Sequence, residues 1–225
     1  MLRKLAAECV GTFALVFAGT GAIINNDLAH GAITQVGVAL TFGLIVMAMI
    51  YALGDVAGAH LNPAVTIGFF AARRFSARLI PSYILSQLIG AVSASLVLRL
   101  LFPASLTLGA TLPSGSSLQS FVLEIVLTTI LMFVILSVST ASKERGVTAG
   151  IAVGSVIALE ALFAGPISGA SMNPARSLAP ALVSMRLAPL WIYLTAPLMG
   201  ALIAVLACRL VHDEGCCRAV HQDQS

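Results

Sequence analysis

The sequence predicts an all-α membrane protein with six transmembrane helices and two re-entrant half-helices, arranged as two inverted repeats. Three observations carry this prediction. Of the 225 residues, 59% are hydrophobic and only 9% are charged, whereas a soluble domain carries about 25% charged residues. Six apolar stretches are long enough to cross a bilayer, and one short motif occurs twice, half a chain apart.

Each predicted span holds about 20 mainly apolar residues, the length that a helix needs to cross a hydrocarbon core. The second, third and sixth spans lack Asp, Glu, Lys and Arg, and each of the others carries one acid. The predicted spans are residues 5–24, 32–53, 79–98, 120–140, 146–167 and 187–208. The uncharged segment 100–123 contains Pro103, Gly109, Pro113 and Gly115 and is therefore interpreted as mostly loop.

The distribution of Lys and Arg predicts the orientation, because cytoplasmic loops of membrane proteins are enriched in both. Six spans place both termini on one side, and most basic residues fall there: Arg3, Lys4, Arg73, Arg74, Arg78, Lys143, Arg145, Arg209 and Arg218. The opposite side holds Arg99, Arg176 and Arg186. We expect a multi-pass protein of the plasma membrane, or of a bacterial inner membrane, with both termini cytoplasmic.

The repeated motif reads GAHLNPA at residues 58–64 and GASMNPA at residues 169–175. Tyr83 and Tyr193 also occupy matching places, in the third span of each half. Because each half has three spans, an odd number, the second copy enters the membrane from the other side. We therefore expect one channel-like domain over residues 1–211, with inverted repeats at about 1–102 and 117–211, followed by a disordered cytoplasmic tail over 212–225.

Each copy of the motif predicts the start of a short helix, since Asn is a preferred N-cap and Pro a preferred first helical residue. About ten residues rise roughly 15 Å, half of the hydrocarbon core, so the two half-helices would meet near the midplane. The candidate pore residues of the motif are Asn62, Pro63, Ala64, Asn173, Pro174 and Ala175.

The irregular segments before these helices are the next candidates. Irregular backbone at this depth is tolerated only where it is buried in protein or lines a wet cavity. We therefore expect a pore to be lined by the carbonyls of Gly58, Ala59, His60, Leu61, Gly169, Ser171 and Met172. For the His60 side chain, the sequence leaves a pore-lining role and a structural role open.

Three acids lie within the spans. Glu8 and Glu124 occupy equivalent places in the first and fourth spans, and lone acids in spans face the protein interior. We expect both to accept hydrogen bonds from backbone N–H groups of the re-entrant loops. Glu160 either anchors a loop or is a titratable pore group, and the sequence does not decide between these roles.

The two motif-bearing loops resemble the signature loops of the major intrinsic proteins, the aquaporins and aquaglyceroporins, and the resemblance covers about residues 3–211. Residues 163–173, FAGPISGASMN, are most similar to the nodulin-like branch, which plants use for glycerol, ammonia and metalloid hydroxides. The short termini favour a prokaryotic member. The resemblance implies a homotetramer with one pore per subunit.

The activity that this resemblance implies is that of a passive channel. It would pass water and small uncharged solutes such as glycerol, urea or metalloid hydroxides, and would exclude ions and protons. No catalysis, cofactor, metal or nucleic-acid partner is implied, and the contacts expected are with solutes, water and membrane lipid. The net charge of +3 is too small to indicate nucleic-acid binding.

The resemblance also assigns a selectivity filter to Phe42, Ala161, Ala170 and Arg176. Strict water channels of this family carry His where Ala161 stands, so a wider pore is implied. Ser177 is typical of water channels and Tyr193-Leu194 of glycerol channels, which leaves the selectivity open. An Arg within a membrane segment is costly and functional by default. Arg176 is therefore interpreted as a group that donates hydrogen bonds to the solute and repels cations. The alternative is that it pairs with Glu160 or with backbone carbonyls.

The sequence leaves three other interpretations of the function open. The chain could be a narrow water-selective aquaporin, a non-conducting structural protein, or an ion-coupled transporter, a class that also uses inverted repeats. Against coupling, the spans lack a second cluster of acids besides Glu160. Against an enzyme, we find no Walker, dinucleotide-binding or metalloprotease motif. The tail residues His212, Cys216, Cys217 and His221 could hold a metal, although a disordered tail is favoured.

Overall fold

The computed structural model of the chain describes residues 1–139 and 143–212. Over these ranges it is all-helical, with helices α1 (Leu2–Leu28), α2 (Thr34–Ala57), α3 (Pro63–Ala71), α4 (Ile80–Leu101), α5 (Ser117–Val138), α6 (Lys143–Ser168), α7 (Pro174–Ser184) and α8 (Leu190–Val211). A single 3₁₀ turn, Ala77–Leu79, leads into α4. Residues 213–225 of the tail, for which disorder is expected, lie outside the described residues, and so do Cys216, Cys217 and His221, the alternative metal ligands.

Six of these helices are long and apolar enough to cross a membrane, so the predicted all-α architecture with six spans is confirmed. Helices α1 and α6 extend beyond the predicted spans at both ends, whereas the ends of the other four are displaced from the predicted ones by one to four residues; α1, for example, runs over Leu2–Leu28 rather than 5–24. The two extensions arise because hydropathy marks only the part of a helix in the hydrocarbon core, whereas backbone hydrogen bonds continue the helix into the interface.

The helices pack in matching pairs: α1 against α4 in the first half and α5 against α8 in the second, with α2 against α6 between the halves. Glycines permit the two close pairs. A Cβ on Gly90 would overlap the carbonyl oxygen of Cys9, and a Cβ on Gly200 would overlap that of Ile125. The contact is thus the same in both halves, and it brings the helix backbones together.

The two half-helices are α3 and α7, of 9 and 11 residues. Asn62 and Asn173 are their N-caps, each in an extended conformation and each followed by Pro at the first helical position. The side-chain oxygen of Asn62 accepts from the N–H of Ala64 at 2.8 Å, and that of Asn173 from the N–H of Ala175 at 3.0 Å. These bonds satisfy N–H groups that lack a partner within a helix.

The loops before the half-helices share an unusual backbone. Gly58 and Gly169 end α2 and α6 with φ of 82° and 86°, a left-handed conformation that glycine adopts without cost. Non-glycine residues at matching positions of the two loops also adopt this left-handed conformation: Ala59, Leu61, Ala170 and Met172, with φ of 46°, 51°, 41° and 53°. Such conformations cost about 1–3 kcal/mol each and persist only where the surroundings hold them.

Candidate functional site

The two Asn residues bind each other's loops at the centre of the molecule. The side-chain nitrogen of Asn62 donates to the carbonyl of Met172 at 2.8 Å, and that of Asn173 donates to the carbonyl of Leu61 at 2.9 Å. Since each side-chain oxygen already caps its own helix, one amide N–H per Asn remains. Both Asn residues line the same cavity, so these two N–H groups are donors that border it.

This pairing changes one expectation about the loop carbonyls. The carbonyls of Leu61 and Met172 were expected to face a pore, but each accepts a hydrogen bond from the opposite Asn, because the two motifs abut directly rather than across water. A carbonyl has two lone pairs, so one remains on each. The residues expected to supply carbonyls do border cavities: Gly58, Ala59, His60, Leu61, Ser171 and Met172 border one, and Gly169 borders a second.

Glu8 holds the first loop. Its carboxylate, which is fully buried, accepts from the backbone N–H of His60 at 2.8 Å and of Leu61 at 2.8 Å. A third bond comes from the side-chain amide of Gln87, at 2.7 Å. The carboxylate therefore takes up the N–H groups of a segment whose left-handed residues cannot pair within a helix.

Glu124 does the same for the second loop. It accepts from the backbone N–H of Ser171 at 2.9 Å and of Met172 at 2.8 Å, and from the hydroxyl of Ser168 at 2.7 Å. The backbone bonds match those of Glu8, whereas the third partner comes from the end of α6 rather than from a neighbouring helix.

Sequence reasoning missed further supports of these loops. The Tyr83 hydroxyl donates to the carbonyl of Ala57 at 3.0 Å, and the Tyr193 hydroxyl donates to that of Ser168 at 2.6 Å. These carbonyls end α2 and α6, where helical partners are lacking. The repeat comparison pairs the two tyrosines, and that pairing was the available signal. For Gln87 the signal was a polar side chain in an apolar span.

The structure gives His60 structural contacts and places it beside a cavity. Its Nδ1 lies 3.1 Å from the hydroxyl oxygen of Thr66, and its ring stacks on Phe69 with centroids 4.7 Å apart. Phe75 and Tyr83 complete an aromatic surround, with centroid distances of 4.8 and 5.3 Å. His60 also borders the cavity that Asn62 and Asn173 line.

Arg176 is 2% exposed and only partly paired. Its Nη1 donates to the carbonyl of Gly109 at 2.9 Å, and its guanidinium carbon lies 5.1 Å from the centroid of the Phe42 ring. Within the described residues, Nε and Nη2 have no hydrogen-bond partner. A buried Arg therefore keeps two donors available.

The alternative roles that involve Glu160 are not seen. Its side chain is fully buried, and neither carboxyl oxygen has a hydrogen-bond partner among residues 1–139 and 143–212. It is therefore neither the partner of Arg176 nor a loop anchor in this structure. Glu160 also borders neither the cavity that both Asn residues line nor the cavity that Gly169 borders.

Two cavities meet at the residues assigned to the filter. The terminal-side cavity opens near the ends of α5 and α2 and is bordered by Ile50, Val138, Ser139 and Ala149, among others. The opposite-side cavity is bordered by Ile23, Gln35, Ala110 and Leu112, among others. Both cavities include Phe42, Ala161, Ala170 and Arg176. These four residues thus lie at the junction of the two cavities.

The cavity walls suit a neutral solute. Aliphatic side chains cover much of the terminal-side cavity: Leu15, Val46, Ile50, Val65, Leu131, Ile135, Val153 and Ile157. The polar groups are the Asn62 and Asn173 amides, the loop carbonyls and the Arg176 donors. A solute that carries donors and acceptors can exchange its water for these groups, whereas a small cation could replace its water only with the loop carbonyls, beside apolar wall and donors.

Comparisons with known proteins agree with this geometry. Residues 1–208 match the Major intrinsic protein family. The chain is 48% identical to aquaporin NIP1-1 of Zea mays over 211 residues, which are 93% of this chain and 75% of that protein. It is 51% identical to aquaporin NIP1-4 of Oryza sativa subsp. japonica over 215 residues, 95% of this chain and 78% of that protein.

A further relative is nodulin-26 of Glycine max, 46% identical over 202 residues, which are 89% of this chain and 74% of that protein. Among solved structures, the aquaglyceroporin from Plasmodium falciparum matches with a TM-score of 0.79 and 28% identity, over 91% of this chain and 94% of that chain. The resemblance to the nodulin-like branch is thereby confirmed, while a prokaryotic origin stays a prediction. The chain belongs to the major intrinsic protein family.

Proposed function

We propose that this protein is a passive channel that passes water and small uncharged solutes across a membrane and excludes ions and protons. The observation that carries the proposal is the meeting of two half-helix N-termini beside one cavity, with Asn62 and Asn173 each keeping an amide N–H. Relatives named aquaporins and an aquaglyceroporin support the same class.

Exclusion of cations and protons follows from this arrangement. Each half-helix N-terminus carries about half a positive charge, and two of them converge at the Asn pair. A permeating cation would be repelled there. A water molecule that accepts from both Asn amides has both lone pairs engaged, so it cannot take up a proton from the next water.

The solute selectivity is proposed to reside in Phe42, Ala161, Ala170 and Arg176. The free Nε and Nη2 of Arg176 would bind the oxygen of a solute and repel cations. The methyl groups of Ala161 and Ala170 leave room beside the Phe42 ring, so solutes larger than water would fit. Glycerol, urea and uncharged metalloid hydroxides are the solutes of this kind that we propose.

A narrow water channel is the second candidate. Ser177, which favours it, is buried and hydrogen-bonded to the hydroxyls of Thr111 and Ser171 at 2.7 and 2.5 Å. The bond to Thr111 attaches the loop whose Gly109 carbonyl holds Arg176 to α7. If that attachment keeps Arg176 rigidly against Phe42, only water would pass.

Assembly and orientation complete the proposal. We take residues 1–211 as one channel domain of two inverted repeats, assembled as a homotetramer with one pore in each subunit. Many large apolar side chains are exposed on the spanning helices, including Leu44, Leu85, Val126 and Leu159, and they would face lipid or neighbouring subunits. The excess of Lys and Arg on the terminal side supports cytoplasmic termini.

The test is the permeability of reconstituted vesicles. Stopped-flow measurements with water, urea and glycerol should each exceed those of protein-free vesicles, and a protonophore should leave the fluxes unchanged. Water flux without glycerol or urea flux would favour the narrow channel. Absence of any neutral-solute flux, or its abolition by the protonophore, would overturn the proposal.

A further inference from the structure

Gln35 lies on the face of α2 that borders the opposite-side cavity, nearer the start of the helix than the filter residue Phe42. It stands in the first turn of α2 (Thr34–Ala57), seven positions before Phe42 and three before Val38. Residues at these spacings share one face of a helix. All three border the opposite-side cavity, and Gln35 contributes the polar side chain of this set.

The side chain of Gln35 is held in one orientation. Its Nε2 donates to the backbone carbonyl of Ala161 at 2.6 Å, which links the start of α2 to a filter position on α6. Gly165 forms the notch that receives the amide, because a Cβ there would overlap Nε2. Since a carbonyl can only accept, the donor end of the amide faces Ala161 and the oxygen end faces away.

The amide oxygen of Gln35 is consequently a fixed acceptor. Within the described residues, no group donates a hydrogen bond to it. Since it is not among the buried atoms that lack a partner, this unbonded oxygen is accessible rather than buried. Two nearby backbone carbonyls already accept one hydrogen bond each, that of Ala161 from Gln35 and that of Gly109 from Arg176. Arg176, which borders the same cavity, contributes donors only.

We infer that Gln35 is a fifth specificity-determining residue, whose amide oxygen accepts a hydrogen bond from solutes with hydroxyl or amide N–H groups as they reach Arg176. This inference rests on the proposed channel function. A polyol or a urea-type amide carries both donors and acceptors, and it sheds water on entry. Arg176 would satisfy its acceptor and Gln35 its donor, so neither polar group would be left unpaired.

Two variants test the inference. Gln35→Met removes the amide and keeps the chain length, while Gly165→Ala keeps Gln35 but displaces its amide from the notch. Val36→Met is the matched control, because Val36 is the next residue of α2 and is 53% exposed. The readout is the ratio of glycerol to water permeability in proteoliposomes.

The ratio should fall about fivefold in both variants, the factor that one ordinary hydrogen bond contributes, and should not change in Val36→Met. An unchanged ratio in either variant would overturn the inference. So would equal losses of glycerol and water flux, which indicate a purely structural role. Failure of the unsubstituted protein to pass glycerol would count against the proposed function, whereas normal glycerol flux with unchanged ratios counts against Gln35 alone.

Discussion

Asn62 donates a hydrogen bond to the carbonyl of Met172, 110 residues further along the chain, at 2.8 Å. The contact joins the N-cap of one half-helix to the loop that precedes the other. The equivalent hydrogen bond in the other half, from Asn173 to the carbonyl of Leu61, has a length of 2.9 Å. Two helix ends that would repel each other electrostatically are thus joined by a reciprocal pair of bonds between neutral groups.

Replacing Asn62 with Asp should open the channel to cations. Asp also caps helices well, so α3 should still form, but a carboxylate cannot donate to Met172. Its charge would offset the two half-charges that converge there. We expect sodium and proton leaks to appear in vesicles loaded with ion-sensitive dyes.

Asn25→Asp serves as the control, because it adds the same charge at an exposed position near the end of α1. A leak of equal size in both variants would show that surface charge, not the Asn pair, determines ion exclusion.

Replacing Ala161 with His should narrow the pore. Ala161 borders both cavities together with Phe42 and Arg176, and an imidazole would fill the space beside its methyl group. We expect stopped-flow glycerol flux to fall about tenfold or more, which corresponds to an added barrier of about 1.4 kcal/mol, while water still passes. Leu162→His, at the adjacent position that is 45% exposed, should leave both fluxes unchanged; unaltered glycerol flux in Ala161→His would remove the filter assignment.

Replacing Glu124 with Leu should destabilise the fold strongly. The substitution leaves the N–H groups of Ser171 and Met172 and the Ser168 hydroxyl without their acceptor, at about 1–3 kcal/mol for each buried group. We expect a large drop in the thermal unfolding midpoint in detergent, and a similar drop for Glu8→Leu. Val126→Leu, at a position that is 47% exposed, is the control; a small effect for both acids would mean that the loops do not depend on these carboxylates.

Replacing Tyr83 or Tyr193 with Phe should each cost about 1 kcal/mol, because the terminal carbonyls of α2 and α6 lose a donor. The two bonds lie in different halves, so the double variant should show the sum of the single losses, within about 0.5 kcal/mol. Chemical denaturation in mixed micelles measures all three. A double loss far from the sum would show that the two loops are energetically coupled.

Some elements could be predicted from sequence because their causes are local. The duplicated Asn-Pro pair marks the starts of α3 and α7, since capping depends on adjacent residues. Other features could not be predicted. The Gly109 carbonyl holds Arg176, and Ser168 rather than a neighbouring helix completes the Glu124 site; nothing in the local sequence of either residue indicates its partner.

The sequence by itself determined the six spans, the two half-helices and their inverted order, because hydropathy, helix capping and an odd number of spans per half are properties of contiguous segments. The tertiary structure decided which polar groups pair and which stay available. The Asn amides are shared between the two loops, Arg176 keeps two donors and Glu160 has no partner among the described residues. Those outcomes depend on which atoms come into contact when segments distant in the sequence pack together. The hydrocarbon core supplies no water to hydrogen-bond the polar groups that lack a protein partner.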